Sequence, residues 1–156
     1  MKWNIICALA IFLCMPVMAQ PTPDRLKHYN VQKKGLALDG YDPVAYFKGS
    51  GAVKGKPELA VVYDGLLYYF SSKENKDLFK QNPAQYEPQF GGWCAYAMGS
   101  TGEKVEVDPE TFKVKDGKLY LFYNKYFNNT LKSWNKDETN LNRNASNNWK
   151  KIINHP

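Results

Sequence analysis

The chain has 156 residues, three cysteines, two histidines and a formal net charge of +6. That length holds one domain with a proper core and is short for two. The lysines are interleaved with acids, as in KGKPE, KENKD and NKDETN, so no basic stripe alternating with aromatics marks nucleic-acid binding; they read as a solvated surface.

Residues 1–19 read as a cleaved export signal. Lys2 gives a positive start, Trp3 to Met18 is apolar except for Asn4, and Val17-Met18-Ala19 fits the small-residue pattern before a signal-peptidase cut. The run is short of the roughly 20 apolar residues that span a bilayer, so the mature form is expected to have no transmembrane span. Cleavage near Ala19 would place the mature chain in the periplasm or outside the cell. Cys7 and Cys14 would leave with the signal, and Cys94 alone would remain. A single cysteine makes no internal disulfide framework, so aromatic packing has to supply the stability. Residues 20–34 are polar with two prolines and read as a flexible lead-in, with structure starting near Gly35.

The single domain is expected over 35–153. LAVVY-DG-LLYYF (59–70) is a hairpin signal, because Asp64-Gly65 suits a two-residue turn whose central positions both need positive φ. In that register Tyr63 faces Leu66, Val61 faces Tyr68 and Leu59 faces Phe70, and both faces are apolar enough to need covering. Ser71-Ser72-Lys73-Glu74 matches a helix capping box, Leu78 and Phe79 pack that helix back, and Asn82-Pro83 starts a new turn. FKVK-DG-KLYLFY (112–123) is a second hairpin. Phe112, Val114, Leu119 and Leu121 form its core face, and Lys113, Lys115, Lys118 and Tyr120 a wetter one. A C-terminal helical extension follows, with Phe127, Leu131 and Trp134 at helical spacing, then Leu141, Ala145, Trp149 and Ile152. Asn135 or Asp137 would cap the second of these helices. The fold class is therefore α+β: a small antiparallel sheet from two Asp-Gly hairpins, a capped central helix and two C-terminal helices.

These segments resemble a known family. YYFSSKENKDLFKQNPAQY (68–86) is similar to the core of the YHS domain, LALDGYDPVAYF (36–47) to its Asp-Pro-Val opening, and QFGGWCAYAMG (89–99) to a segment of exported bacterial YHS-domain proteins. The resemblance implies metal handling. Metal-associated members place cysteines where this chain has Ala45, Ser71 and Asn75, so a zinc or copper(I) thiolate cluster cannot be built from those positions.

Cys94 is the sharpest candidate for chemistry. It follows Gly91-Gly92 and sits between Trp93 and Tyr96; a turn leading into a helix at Trp93 would lower its pKa, whereas a lone buried cysteine is inert. Tyr41, Asp42 and Tyr46 either form turn structure around Asp42-Pro43 or line a pocket with Cys94, an oxygen and sulfur set for a transition metal (copper or zinc) or a small polar ligand. The expected ligand-binding set is thus Cys94, Asp42, Tyr46, Tyr41, Trp93 and Tyr96, with Cys94 the metal ligand. His28 and His155 lie near the chain ends and are expected in solvent. Without a central His, a Cys–His nucleophilic pair is hard to build, and no catalytic signature is present. The reading is an exported binding domain. The alternatives are a non-catalytic interaction domain with an envelope protein partner and a single-thiol redox protein, the latter lacking a resolving thiol.

Overall fold

The structure, a computed structural model, describes residues 23–154. The expected signal, with Cys7 and Cys14, and His155 lie outside the described residues. The class is α+β, as the two hairpins and terminal helices imply. The chain runs through α1 (Pro23–His28), β1 (Val31–Gln32), β2 (Leu36–Ala37), β3 (Lys56–Tyr63), β4 (Leu66–Phe70), α2 (Lys73–Gln81) and α3 (Pro83–Tyr86). It continues with α4 (Ala95–Ser100), β5 (Asp108–Lys115), β6 (Lys118–Phe122), β7 (Asn124–Lys125), β8 (Asn128–Asn129), α5 (Thr130–Trp134) and α6 (Glu138–Asn154).

Structure starts upstream of Gly35. Within the expected lead-in, α1 is a helical turn and β1 pairs with β2. Arg25 explains the docking: its guanidinium bridges Asp64, at 2.8 Å, and Glu87, and it stacks over the Tyr29 ring. Asp64 is the first turn residue of the first hairpin, so its backbone makes the turn while its carboxylate joins the clamp. Sequence polarity hid this, because a paired arginine on a short segment reads like any solvated one.

The four-stranded sheet has the order β1-β2-β4-β3, with β2 parallel to β4. Around Asp64-Gly65 the pairs Tyr63–Leu66, Val62–Leu67 and Val61–Tyr68 form as the turn chemistry requires. Leu59 does not face Phe70: the register shifts between Lys56 and Val61, and Lys56 takes that place. Nor is the hairpin covered on both sides throughout, since Val62 is 70% exposed. On the inner side Leu66, Tyr68 and Phe70 meet Phe79 of α2, with the Tyr68 and Phe79 ring centroids 4.8 Å apart. The helix cap lies one residue later than the capping box suggests. Ser72, not Ser71, accepts from the Asn75 N–H, and Glu74 pairs with Lys48 at 2.5 Å.

The second hairpin keeps its register, Lys115–Lys118 to Phe112–Leu121, and forms a separate two-stranded sheet. Its strand β6 divides two cores by simple alternation. Leu119 and Leu121 point into the core made with β4 and α2. Tyr120 and Phe122 point into a second one with Phe90, Met98, Trp134 and Ala145. The face expected to be wetter is therefore covered at Tyr120, which is 4% exposed, because Trp134 stacks 5.7 Å from it. Phe127 is not part of that helical stripe; α5 starts only at Thr130. The stripe of α6 packs as its spacing implies, with Ala145 buried and Trp149 lying over Gly91. At Gly91, with φ +61, an added Cβ would fall 2.6 Å from the Trp149 ring, so only glycine lets the indole seat. No helix of the described residues is long and apolar enough to cross a membrane.

Glu138 ties the C-terminal helix to the second hairpin. It accepts from Lys113 at 2.9 Å, Lys115 at 2.9 Å and the Trp134 indole at 3.0 Å. Burial alone would raise its carboxyl; the hydrogen bonds from Lys115, Lys113 and Trp134 outweigh that and bring it to about 2. A folded pKa below the unfolded one means the contribution is complete above the ordinary glutamate range and is lost as pH falls through about 2. Glu138→Gln should lower stability by about 1–3 kcal/mol near neutral pH. It should also remove that part of the acid-limb slope, read as urea midpoints across the pH range.

Candidate functional site

Asp42 has no exposed surface, and both of its oxygens are taken. Oδ1 accepts from the Val44 N–H at 2.9 Å and the Ala45 N–H at 3.3 Å, the turn arrangement that Asp-Pro favours. Oδ2 accepts from the Ser71 N–H at 2.8 Å, the Ser71 hydroxyl at 2.6 Å and the Asn75 amide at 2.7 Å. Lys48 then donates to the Asn75 oxygen at 3.2 Å. Ala45, Ser71 and Asn75, the positions at which the resemblance implies cysteine in metal-associated members, thus converge on one point. Here they hold a carboxylate by donation.

The neighbours of Asp42 do not form the expected wall opposite Cys94. The Tyr46 hydroxyl donates to the Pro109 carbonyl at 2.9 Å, its ring packs edge-on against Phe112, and burial pushes its phenol pKa well up. Tyr41 lies at the surface and donates to Glu110 at 2.7 Å, with Lys54 3.9 Å above its ring; that hydrogen bond, with lesser help from burial, pushes its pKa up to about 12. Trp93 donates to the His28 carbonyl at 2.6 Å. His28 itself is 5% exposed, so the expectation of solvent fails there: docking of α1 covers it.

Cys94 and Tyr96 do share a site. Cys94 is the residue before α4 and forms a bridge to Leu121, with its N–H donated to the Val105 carbonyl at 2.9 Å. Its side chain has no exposed surface. Sγ accepts from the Tyr123 N–H at 3.4 Å and lies 3.4 Å from the Thr130 hydroxyl. It therefore forms the floor of a groove of about 330 Å³ whose walls include Tyr96, Ser100, Thr101, Glu103, Tyr123 and Asn128. These walls offer hydroxyls, an amide and one carboxylate, with no Lys, Arg or His among them. Asp42, Tyr41, Tyr46 and Trp93 are not part of it.

The groove borders the β7–β8 hairpin, which sequence reasoning missed. Its two-residue turn is Tyr126-Phe127, with φ values of 51° and 63°. The β3–β4 and β5–β6 hairpins use Asp-Gly for the same geometry. Left-handed backbone costs a residue with a Cβ roughly 1–2 kcal/mol relative to glycine. No turn motif announces such a pair, and Phe127 instead fitted a helical stripe. The base of the hairpin over-determines it: the Thr130 N–H and hydroxyl both donate to the Tyr123 carbonyl, and Asn129 caps α5 through the Leu131 N–H.

Residues 44–90 match the family model of the YHS domain, and the chain carries such a domain there. No curated protein and no solved structure matches the chain. Metal handling needs several sulfur or imidazole ligands for zinc or copper(I). Among the described residues no three His, Cys, Asp or Glu side chains come together to hold an ion. The Cys94 sulfur faces an amide and a hydroxyl, and the Asp42 oxygens face five donors. These residues do not fit such a centre.

Asp42→Asn puts an NH2 against at least one of those donors while leaving the volume unchanged. It should cost about 2–4 kcal/mol by urea denaturation, against about 1 kcal/mol for Ser71→Ala, which removes a single donor.

Proposed function

We propose that the chain is a non-catalytic binding module, acting after export, whose ligand site is the groove floored by Cys94. The observation that carries this reading is the groove's composition: a volume of about 330 Å³ whose walls are mostly apolar, Ala97 and Val105 among them, with hydroxyls, one amide and one carboxylate as its polar points. Such walls favour a small ligand with an apolar body and a hydroxyl or primary amine, and an anion would find no cation to meet it. Cys94 acts here as a floor that shapes the site. With no exposed surface, its thiol is badly placed to attack or exchange, which counts against single-thiol redox chemistry. The export reading rests on residues 1–19, which lie outside the described residues.

The test is a thermal-shift and amide-NMR comparison of aliphatic alcohols, primary alkylamines, inorganic phosphate, zinc and copper(I). Alcohols or amines should perturb the amides of Tyr96 to Glu103 and raise the melting temperature; saturation at a hundredfold excess over Kd corresponds to about 2.7 kcal/mol. Ala97→Phe, which fills the groove, should abolish the response, and Glu103→Gln should abolish it for amines alone. Phosphate acting as strongly as amines, or a stoichiometric metal lost in Cys94→Ala, would refute the reading.

A further inference from the structure

The turn beside the groove carries an independent assignment. Tyr126 is 89% exposed and Phe127 110%, so both aromatic side chains project fully from the hairpin tip. Among the described residues the other large exposed apolar side chains, Leu26, Val62 and Ile153, lie on α1, β3 and the end of α6 and make no pair adjacent in sequence. Single exposed apolar residues are ordinary. Two neighbouring aromatics on a strained turn are not, because Asp-Gly or Asn-Gly there would fold more easily. We propose that the Tyr126-Phe127 turn is a wedge that inserts into the headgroup layer of an anionic membrane.

Shape and charge choose the occupant. The tip is a convex knob flanked by polar residues, Asn124 and Lys125 on one side and Asn128 and Asn129 on the other. Its two side chains offer roughly 300–500 Å² together, whereas a stable protein interface needs about 800 Å² from each partner. A fluid interface accommodates such a knob without a matching surface. Tyrosine is one of the residues that favour the headgroup level, and exposed Lys125 adjoins the tip on a chain of net charge +6, which suits anionic lipid. The Thr130 and Asn129 contacts at the base hold the knob rigid, so little order has to be gained on insertion.

The test uses the chain with Phe127→Trp and, separately, Val62→Trp, an exposed control on β3. Vesicles are equal parts phosphatidylcholine and phosphatidylglycerol, with brominated acyl chains as quenchers and the wild-type chain as background. The Phe127→Trp indole should be quenched and blue-shifted on these vesicles, less so at high salt or on phosphatidylcholine alone, and the Val62→Trp indole should stay as in water. The double variant Tyr126→Asn, Phe127→Gly supplies an ideal turn, so it should melt no lower than the wild type. It should bind anionic vesicles about tenfold or more weakly than a chain with the same N-terminus. Equal quenching at both positions, a water-like Phe127→Trp spectrum, or self-association of the wild type that vanishes in the double variant would each overturn the assignment. The last of these would assign the tip to a second copy. Groove filling by Ala97→Phe leaves the wedge in place, so failure of the ligand reading and failure of this one are told apart.

Discussion

A carboxylate with no access to water holds the YHS region together. Burying the polar oxygens of Asp42 is tolerable only because five donors meet them, three of them backbone or side-chain groups at the end of β4 and the start of α2. The turn at 42–45, the last residue pair of the sheet and the first turn of the helix therefore cannot move separately without uncovering those oxygens. Tyr46, which follows, carries this rigidity to β5 through Pro109 and Phe112. The effect is that Ala45, Ser71 and Asn75 are joined through one carboxylate by backbone, hydroxyl and amide donors.

Beyond that hub the molecule is organised by β6. Alternation along five residues sends Leu119 and Leu121 to one core, and Tyr120 and Phe122 to another. Cys94 pairs with this strand through Leu121, and the residues that line the groove run from Cys94 to Thr130. The matched segment ends at residue 90, and Cys94, Tyr96, Thr130 and the aromatic turn all lie after it. No residue of the matched YHS segment lines the groove.

Much of this was legible where local chemistry and long-range packing agree. Asp64-Gly65 and Asp116-Gly117 set both registers, because a turn that needs positive φ at two positions leaves the pairing little freedom. The repeat Leu141, Ala145, Trp149 and Ile152 located the packed face of α6 for similar reasons. Illegible were contacts whose partner is remote. Ser71 and Ser72 are equivalent as caps until Asp42 claims the first. Arg25 and His28 look solvated until Glu87 and Trp93 meet them. Cys94 stands out as a thiol, and the family resemblance puts the segment around Asp42 opposite it. The tertiary path instead brings Thr130 and Tyr123 to it. Phe127 was misplaced because its spacing to Leu131 and Trp134 is helical while its backbone is not.

The cysteine and the aromatic turn share their supports, and that bears on how the site works. Thr130 touches Cys94, borders the groove, and with its hydroxyl and amide closes the hairpin onto Tyr123. Asn128 also lines the groove while forming β8. An occupant that bonds to either residue therefore acts on the base of the hairpin that presents Tyr126 and Phe127. If the groove and the turn each take an occupant as proposed, any coupling through these residues is reciprocal. The strain in the turn gives this coupling something to act on, since a backbone held left-handed against its preference responds to small changes in the contacts that hold it.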